Sequence, residues 1–308
     1  MTQHDRPVLG ILLMLGFCVL APLGDGMAKL VGSLVPLAML ILIRFASQVL
    51  LLAPIVMLRG LAWRYEGRVL RLIFIRTLLH IAGLGSMFMA LRFLPLAEAI
   101  AIAFVMPFIM LLLGKYVLGE EVGRHRLWAC VVGFIGTLMV VQPTFAEVGL
   151  PALLPLAVAV IFALFMLVTR QIAREVDPIA LQAVSGAIAS VILIVAMLIF
   201  GPAFPELALE VPSRSLWLLL VIIGITGTLA HLLMTWSLRY APSATLAPMQ
   251  YLEIPFATII GWVLFHDLPD GLAAIGIVVT IGTGLYIVYR EQVSARISQA
   301  VAVGTPDV

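Results

Sequence analysis

Glu253 stands in the apolar stretch Tyr251-Leu-Glu-Ile-Pro-Phe-Ala-Thr258, with Gln250 one turn away and nothing on its own segment to neutralise it. An ionisable residue at membrane depth costs about 2.5 to 3.5 kcal/mol on insertion scales, so its presence asks for a function. A carboxylate so placed binds a cationic group or takes up and releases a proton, which makes Glu253 the first candidate for substrate or coupling chemistry. Arg76, His80, Gly83 and Met87 recur at helical spacing and share a face. A guanidinium beside an imidazole suits a carboxylate or a hydrogen-bonding heterocycle. The alternative is Arg76 held by headgroups and His80 as a satisfied interhelical donor. Arg44 poses the same choice between ligand contact and structural pairing with a carboxylate.

Asp25 and Lys29 are four residues apart and lie on one helical face, where they neutralise one another or form an outer gate. Pro22, Gly24 and Gly26 loosen the helix around them. Glu98 is a gating candidate nearer the outer surface, or a partner of Arg92 at a helix end. Gly224, Thr228, His231 and Thr235 form a small and polar stripe. Such a stripe suits close helix packing, with His231 as a candidate cavity wall. Phe104, Trp236, Tyr251 and Tyr240 offer rings for a planar ligand, or else anchor the core and the membrane interface. Gly133, Gly136 and Thr137, with Gly276, Gly282 and Gly284, provide surfaces for helix contacts.

The elements that carry these residues follow from composition. The chain has 308 residues, 63% hydrophobic and 11% charged, with a mean hydropathy of +1.18. Soluble domains carry about 25% charged residues, so a soluble globular protein is excluded. Apolar runs of spanning length fall at roughly 8–31, 36–58, 69–92, 94–114, 126–142, 150–170, 178–200, 215–239, 242–265 and 270–289. They are continuously apolar, not alternating, so they predict helices and not a barrel. Cys18 and Cys130 lie inside such runs and read as buried small hydrophobes. The short polar start, Met1 to Pro7, leads straight into the first run, which reads as a retained helix and not a signal peptide.

Arg6, Arg59, Arg64, Arg68, Arg71, Lys115, Arg124, Arg126, Arg170, Arg174, Arg239, Arg290 and Arg296 fall at one set of helix ends. Lys29, Arg92 and Arg214 fall at the other. The asymmetry predicts that both termini are cytoplasmic in a bacterial inner membrane. Ala90-Leu-Arg-Phe-Leu-Pro95 matches Ser237-Leu-Arg-Tyr-Ala-Pro242 at an offset of about 147 residues. Pro107 and Pro255 then lead to Gly119-Glu120 and His266-Asp267, and Ile135-Gly-Thr137 echoes Ile281-Gly-Thr283. The expected fold is therefore an all-α integral membrane protein with about ten transmembrane helices in two repeats, 1–146 and 147–308. Five helices per repeat is an odd number, so the second repeat is inverted relative to the first. Such inverted repeats place a binding site between them near the bilayer midplane.

These residues resemble the EamA-type branch of the drug/metabolite transporter superfamily. Tyr251 to Phe265 is similar to the family's ninth-helix pattern of a Leu-Glu-Pro step, an apolar run and a Gly-Glu loop, and Pro107 through Leu118-Gly-Glu120 offers the same element in the first half. Glu253 stands two residues before Pro255 instead of next to it, and His266-Asp267 replaces Gly-Glu. The resemblance covers nearly the whole chain. It implies transport of amino acids, metabolites, nucleoside-like compounds or vitamins, commonly without ATP.

The function expected is a secondary transporter with alternating access, coupled to or gated by a proton through Glu253. Its substrate is a vitamin such as riboflavin, in line with some family members, or a zwitterionic amino acid held by Arg76 and Glu253. The expected partners are a small molecule and membrane lipid, with the chain a monomer or homodimer and no nucleic acid bound. A membrane enzyme acting on a lipid-linked substrate is the alternative, with His266, Asp267 and Asp270 as its polar cluster. The sequence has no zincin motif, phosphate-binding glycine loop or Cys/His metal set. Neither enzyme chemistry nor a metal or other cofactor is therefore expected.

Overall fold

A computed structural model describes residues 6–119, 123–140 and 149–266, with scattered positions between 271 and 293. All regular elements among the described residues are helical. They are α1 (Pro7–Val31), α2 (Leu37–Leu58), α3 (Gly67–Ala90), α4 (Leu96–Ala103), α5 (Met106–Val117), α6 (Arg124–Val140), α7 (Leu154–Ile172), α8 (Pro178–Phe200), α9 (Trp217–Tyr240) and α10 (Glu253–Phe265). Seven helical stretches are long and apolar enough to cross a membrane, α4 and α5 together counting as one, and α6 and the α10 region are shorter apolar helices. This is a multi-pass membrane protein. Buried backbone groups are satisfied inside each helix, which is the condition for crossing lipid.

Two expected spans are interrupted. The run at 94–114 breaks between Ala103 and Met106, because Pro107 occupies the first turn of α5. A proline ring clashes with the carbonyl four residues earlier and lacks an N–H to bond it, so a straight helix cannot run on from Ala103. The run at 242–265 is a single turn at Ser243–Leu246, a tighter 3-10 segment at Ala247–Leu252, and then α10. Pro248 is the second residue of that segment and Pro255 the third of α10. Glu253 is thus not in the middle of a helix, as its sequence context suggests, but the first residue of α10.

The helices pair across the chain: α1 lies on α9, α2 on α8, α3 on α7 and α4 on α10. Short connections make successive spans alternate in direction. The face where α1 begins therefore also holds the end of α2, the start of α3, the end of α7 and the end of α9. Most of the pattern of basic residues lies there. At that face Arg6 N–H donates to the Tyr240 carbonyl and Ser237 Oγ donates to the Gly10 carbonyl, tying α1 to α9. At the opposite face Arg92 pairs with Glu206 at 2.6 Å, and Glu206 also accepts from Leu37 N–H. Arg92 is therefore joined to the loop after α8.

One large apolar core runs through the bundle, from Met14 and Phe17 on α1 through Phe45, Phe88 and Phe165 to Tyr251 and Ile254. Many side chains on the opposite helix faces are apolar and exposed, among them Leu50, Met57, Val191 and Leu218. An outer surface of this kind is suited to lipid.

Candidate functional site

A cavity opens in the half of the bundle away from the start of α1. Phe17, Asp25 and Gly24 of α1 face it, with Arg44 of α2 and Gly83, Leu84, Met87 and Phe88 of α3. Phe104 and Met106 enter from the break between α4 and α5, Phe162 from α7, Gly227 and His231 from α9, and Glu253 from the start of α10. Its lining is mostly apolar, with Asp25, Arg44, His231 and Glu253 as the ionisable groups. Water-sized spheres have about 80 Å³ in which to move. A single water needs about 10 to 15 Å³ by that measure, so the cavity has room for several waters.

Arg44 reaches the cavity because α9 has glycine at position 227. A Cβ built there would lie 1.9 Å from Arg44 Nη1, so any side chain at 227 would collide with the guanidinium. Arg44 Nη2 donates to the Gly227 carbonyl at 3.2 Å, while Nη1 has no hydrogen-bond acceptor among the described residues. Gly224, one turn earlier, meets Ser47 of α2 in the same way. The small stripe on α9 is thus a packing surface, and Thr228 and Thr235 return their hydroxyls to the carbonyls of Gly224 and His231.

Asp25, Arg44 and Glu253 share this one lining, and none of the three is in an ion pair among the described residues. Glu253 is the first residue of α10, and its N–H is taken by the carbonyls of Gln250 and Tyr251 in the turn before it. Gln250, one turn earlier, directs its amide to Met166 Sδ instead.

The other residues singled out from the sequence divide by position. His231 and Phe104 line the cavity with Glu253 and Asp25. His80 lies directly behind His231, their ring centroids 4.2 Å apart, packed between Phe45 and Phe165. Arg76 is fully buried outside the cavity lining. Its Nε donates to Thr169, Nη1 to Ser185 and Nη2 to Gln182, and its guanidinium stacks over Phe165 at 4.6 Å. Gln182 in turn bonds Thr235 and accepts from Gln48. This polar seam joins α2 and α3 to α7, α8 and α9 on the side of the cavity nearer the start of α1.

Tyr251 is buried with its hydroxyl donating to the Cys130 carbonyl and its ring on Phe104, so it backs the lining without entering it. Trp236 packs against Leu52, Val56 and Ile179, away from the cavity. Lys29 donates to the Leu94 carbonyl at 2.7 Å and lies over the Phe265 ring. Glu98 sits in the first turn of α4, and neither it nor Lys29 lines the cavity. His266 is exposed at the end of α10, whereas Asp267 and Asp270 lie outside the described residues. Among the described residues no cluster of three or more metal-ligating side chains occurs. Phe17, Phe162 and Gly227 were not marked by sequence reasoning, because nothing in a run of apolar residues distinguishes the one that faces a cavity.

The EamA-like transporter family matches this chain twice, over residues 8–142 and 149–290. A protein of Brucella anthropi named a riboflavin transporter is 27% identical over 72% of this chain and 77% of its own length. A protein of Rickettsia prowazekii named an S-adenosylmethionine uptake transporter is 25% identical over 92% of this chain and 94% of its own. One of Pseudomonas aeruginosa named a pseudopaline exporter is 24% identical, covering 82% and 86%. A solved crystal structure shares the fold with a TM-score of 0.69 and 20% identity, over 90% of this chain and 95% of that one.

Proposed function

Because the chain belongs to the EamA-like transporter family, we propose that it is a secondary transporter that carries a small organic metabolite across the bacterial inner membrane by alternating access, and not an enzyme. The observation that carries this reading is the cavity itself. It holds charged side chains without ion-pair partners between helices of the first and second halves, and a hydrogen-bonded seam lies below it. Two inverted five-helix repeats, 1–146 and 147–308, are supported by the double family match and by the pairing of α1 with α9 and α3 with α7, which exchanging the halves leaves unchanged. Arg59, Arg64, Arg68, Arg71, Arg170 and Arg174 support cytoplasmic termini.

Glu253 and Asp25 line the cavity and are the groups proposed for coupling, with Glu253 carrying the proton. Phe104 and His231 are proposed to meet the substrate. Arg76, His80 and Tyr251 support the lining from behind or beside it, Trp236 steadies α9 in the separate cluster with Leu52 and Val56, and Lys29 and Glu98 are proposed to act at the outer ends of the helices. The substrate classes in view are a vitamin of the flavin type and an amino acid. Membrane lipid is the surrounding partner of a monomer or homodimer, and nucleic acid is not a partner.

The experiment is uptake and counterflow by the purified full chain in liposomes, preceded by a thermal-shift panel of vitamins, amino acids and nucleosides. A ligand that binds only the folded state raises its apparent stability. Counterflow of a stabilising ligand supports the transporter, whereas binding without counterflow rejects it.

A further inference from the structure

The cavity presents opposite charges that do not satisfy one another. Arg44 is held by the Gly227 carbonyl at one nitrogen while Nη1 finds no acceptor among the described residues, although Arg44 is only 4% exposed. A buried charged donor without an acceptor is costly unless something supplies one. Asp25 lines the same cavity as Arg44 and makes no ion pair with it. Glu253 adds a second carboxylate to the same lining. With Glu253 carrying the coupling proton, Arg44 and Asp25 are left as one cation and one anion for a ligand to match. Around them stand Phe17, Phe104 and Phe162, whose rings suit apolar or planar groups.

We propose that the transported ligand carries an α-amino-acid end group, its carboxylate on Arg44 and its ammonium on the Asp25–Glu253 pair, with an apolar or planar body against the phenylalanines. The inference rests on the transporter reading of this cavity. It assigns to Arg44 the anion-holding role that sequence spacing suggested for Arg76, whose three nitrogens are already bonded to Thr169, Ser185 and Gln182. A neutral flavin ring would leave both Arg44 and the acids unmatched. Gly227 acts as a positioning residue, since only the absence of a side chain admits the guanidinium.

The test measures uptake by the full chain in liposomes of the common L-amino acids, S-adenosylmethionine and riboflavin. Each transported amino acid is then challenged with its own methyl ester, which lacks the carboxylate charge, and its N-acetyl derivative, which lacks the ammonium. Both derivatives are expected to compete at least about tenfold more weakly than the parent. In Arg44→Gln the penalty on the methyl ester should vanish while the penalty on the N-acetyl form remains. If Arg44→Gln does not fold, the derivative series on the unaltered protein decides alone. Equal competition by the derivatives, or uptake of riboflavin with none of any amino acid, overturns the inference and leaves the transporter standing. Absence of uptake for every compound counts against the transporter and the inference together.

Discussion

The guanidinium of Arg44 fills the space that a side chain at position 227 would need: a Cβ on Gly227 would sit 1.9 Å from Nη1 and 2.2 Å from Cζ. α2 and α9 are in effect locked together by one residue's bulk and another's lack of it. Gly227→Ala should push Arg44 off the Gly227 carbonyl. Overpacking of this kind costs about 1 to 3 kcal/mol. The expected result is a lower melting temperature and a KM raised about tenfold or more, since 1.4 kcal/mol is a factor of ten. Unaltered KM in a folded variant would show that the position of Arg44 is irrelevant to the ligand.

For Glu253 the expectation concerns coupling. Wild type and Glu253→Gln are compared in liposomes for uptake driven by an imposed pH gradient and for counterflow. The variant should lose gradient-driven accumulation and keep counterflow, because exchange needs binding and reorientation but no net proton movement. Gradient-driven uptake that survives unchanged rejects the coupling role, and loss of both activities assigns Glu253 to binding or to the fold.

Arg76→Met tests the seam. Thr169, Ser185 and Gln182 would each lose a charged donor in a buried setting, and leaving one such buried acceptor without its partner costs about 1 to 3 kcal/mol. A large drop in thermal stability is expected, with KM nearly unchanged in whatever fraction folds. A stable variant with a raised KM would return Arg76 to the ligand.

Topology is tested by reporter fusions. A fusion at Gly304 should report the cytoplasm and one after Glu147 the opposite side. The reverse pattern would remove both the assigned orientation and the inverted-repeat argument.

The helical membrane architecture was legible because the signals that carry it are collective: apolar runs about 20 residues long and the run of arginines at alternate helix ends. The breaks in two spans were not legible: Pro107 and Pro255 lie in runs that read as continuous helices, and a proline is tolerated inside a first turn, as Pro255 is. Reading α10 as continuous with the residues before it placed Glu253 mid-helix. For Arg76 and Arg44 the sequence offers the same residue in the same kind of apolar helix. What separates them is which partners arrive from α7, α8 and α9, more than ninety positions away in the chain. Spacing along one helix carries no information about that.

The start of α5 and the start of α10 both abut the cavity, with Met106 and Glu253 as their first residues in its lining. At α10 the Glu253 N–H is already taken by the carbonyls of Gln250 and Tyr251, so the main chain entering that helix has spent its amide on the preceding turn. The charge of the cavity is therefore carried by its side chains, where exchanging one amino acid for another reaches it. Neutralising Arg44 would take the guanidinium out of the lining altogether, and a charge scan of Asp25, Arg44, His231 and Glu253 would capture how welcoming the chamber is to an anion.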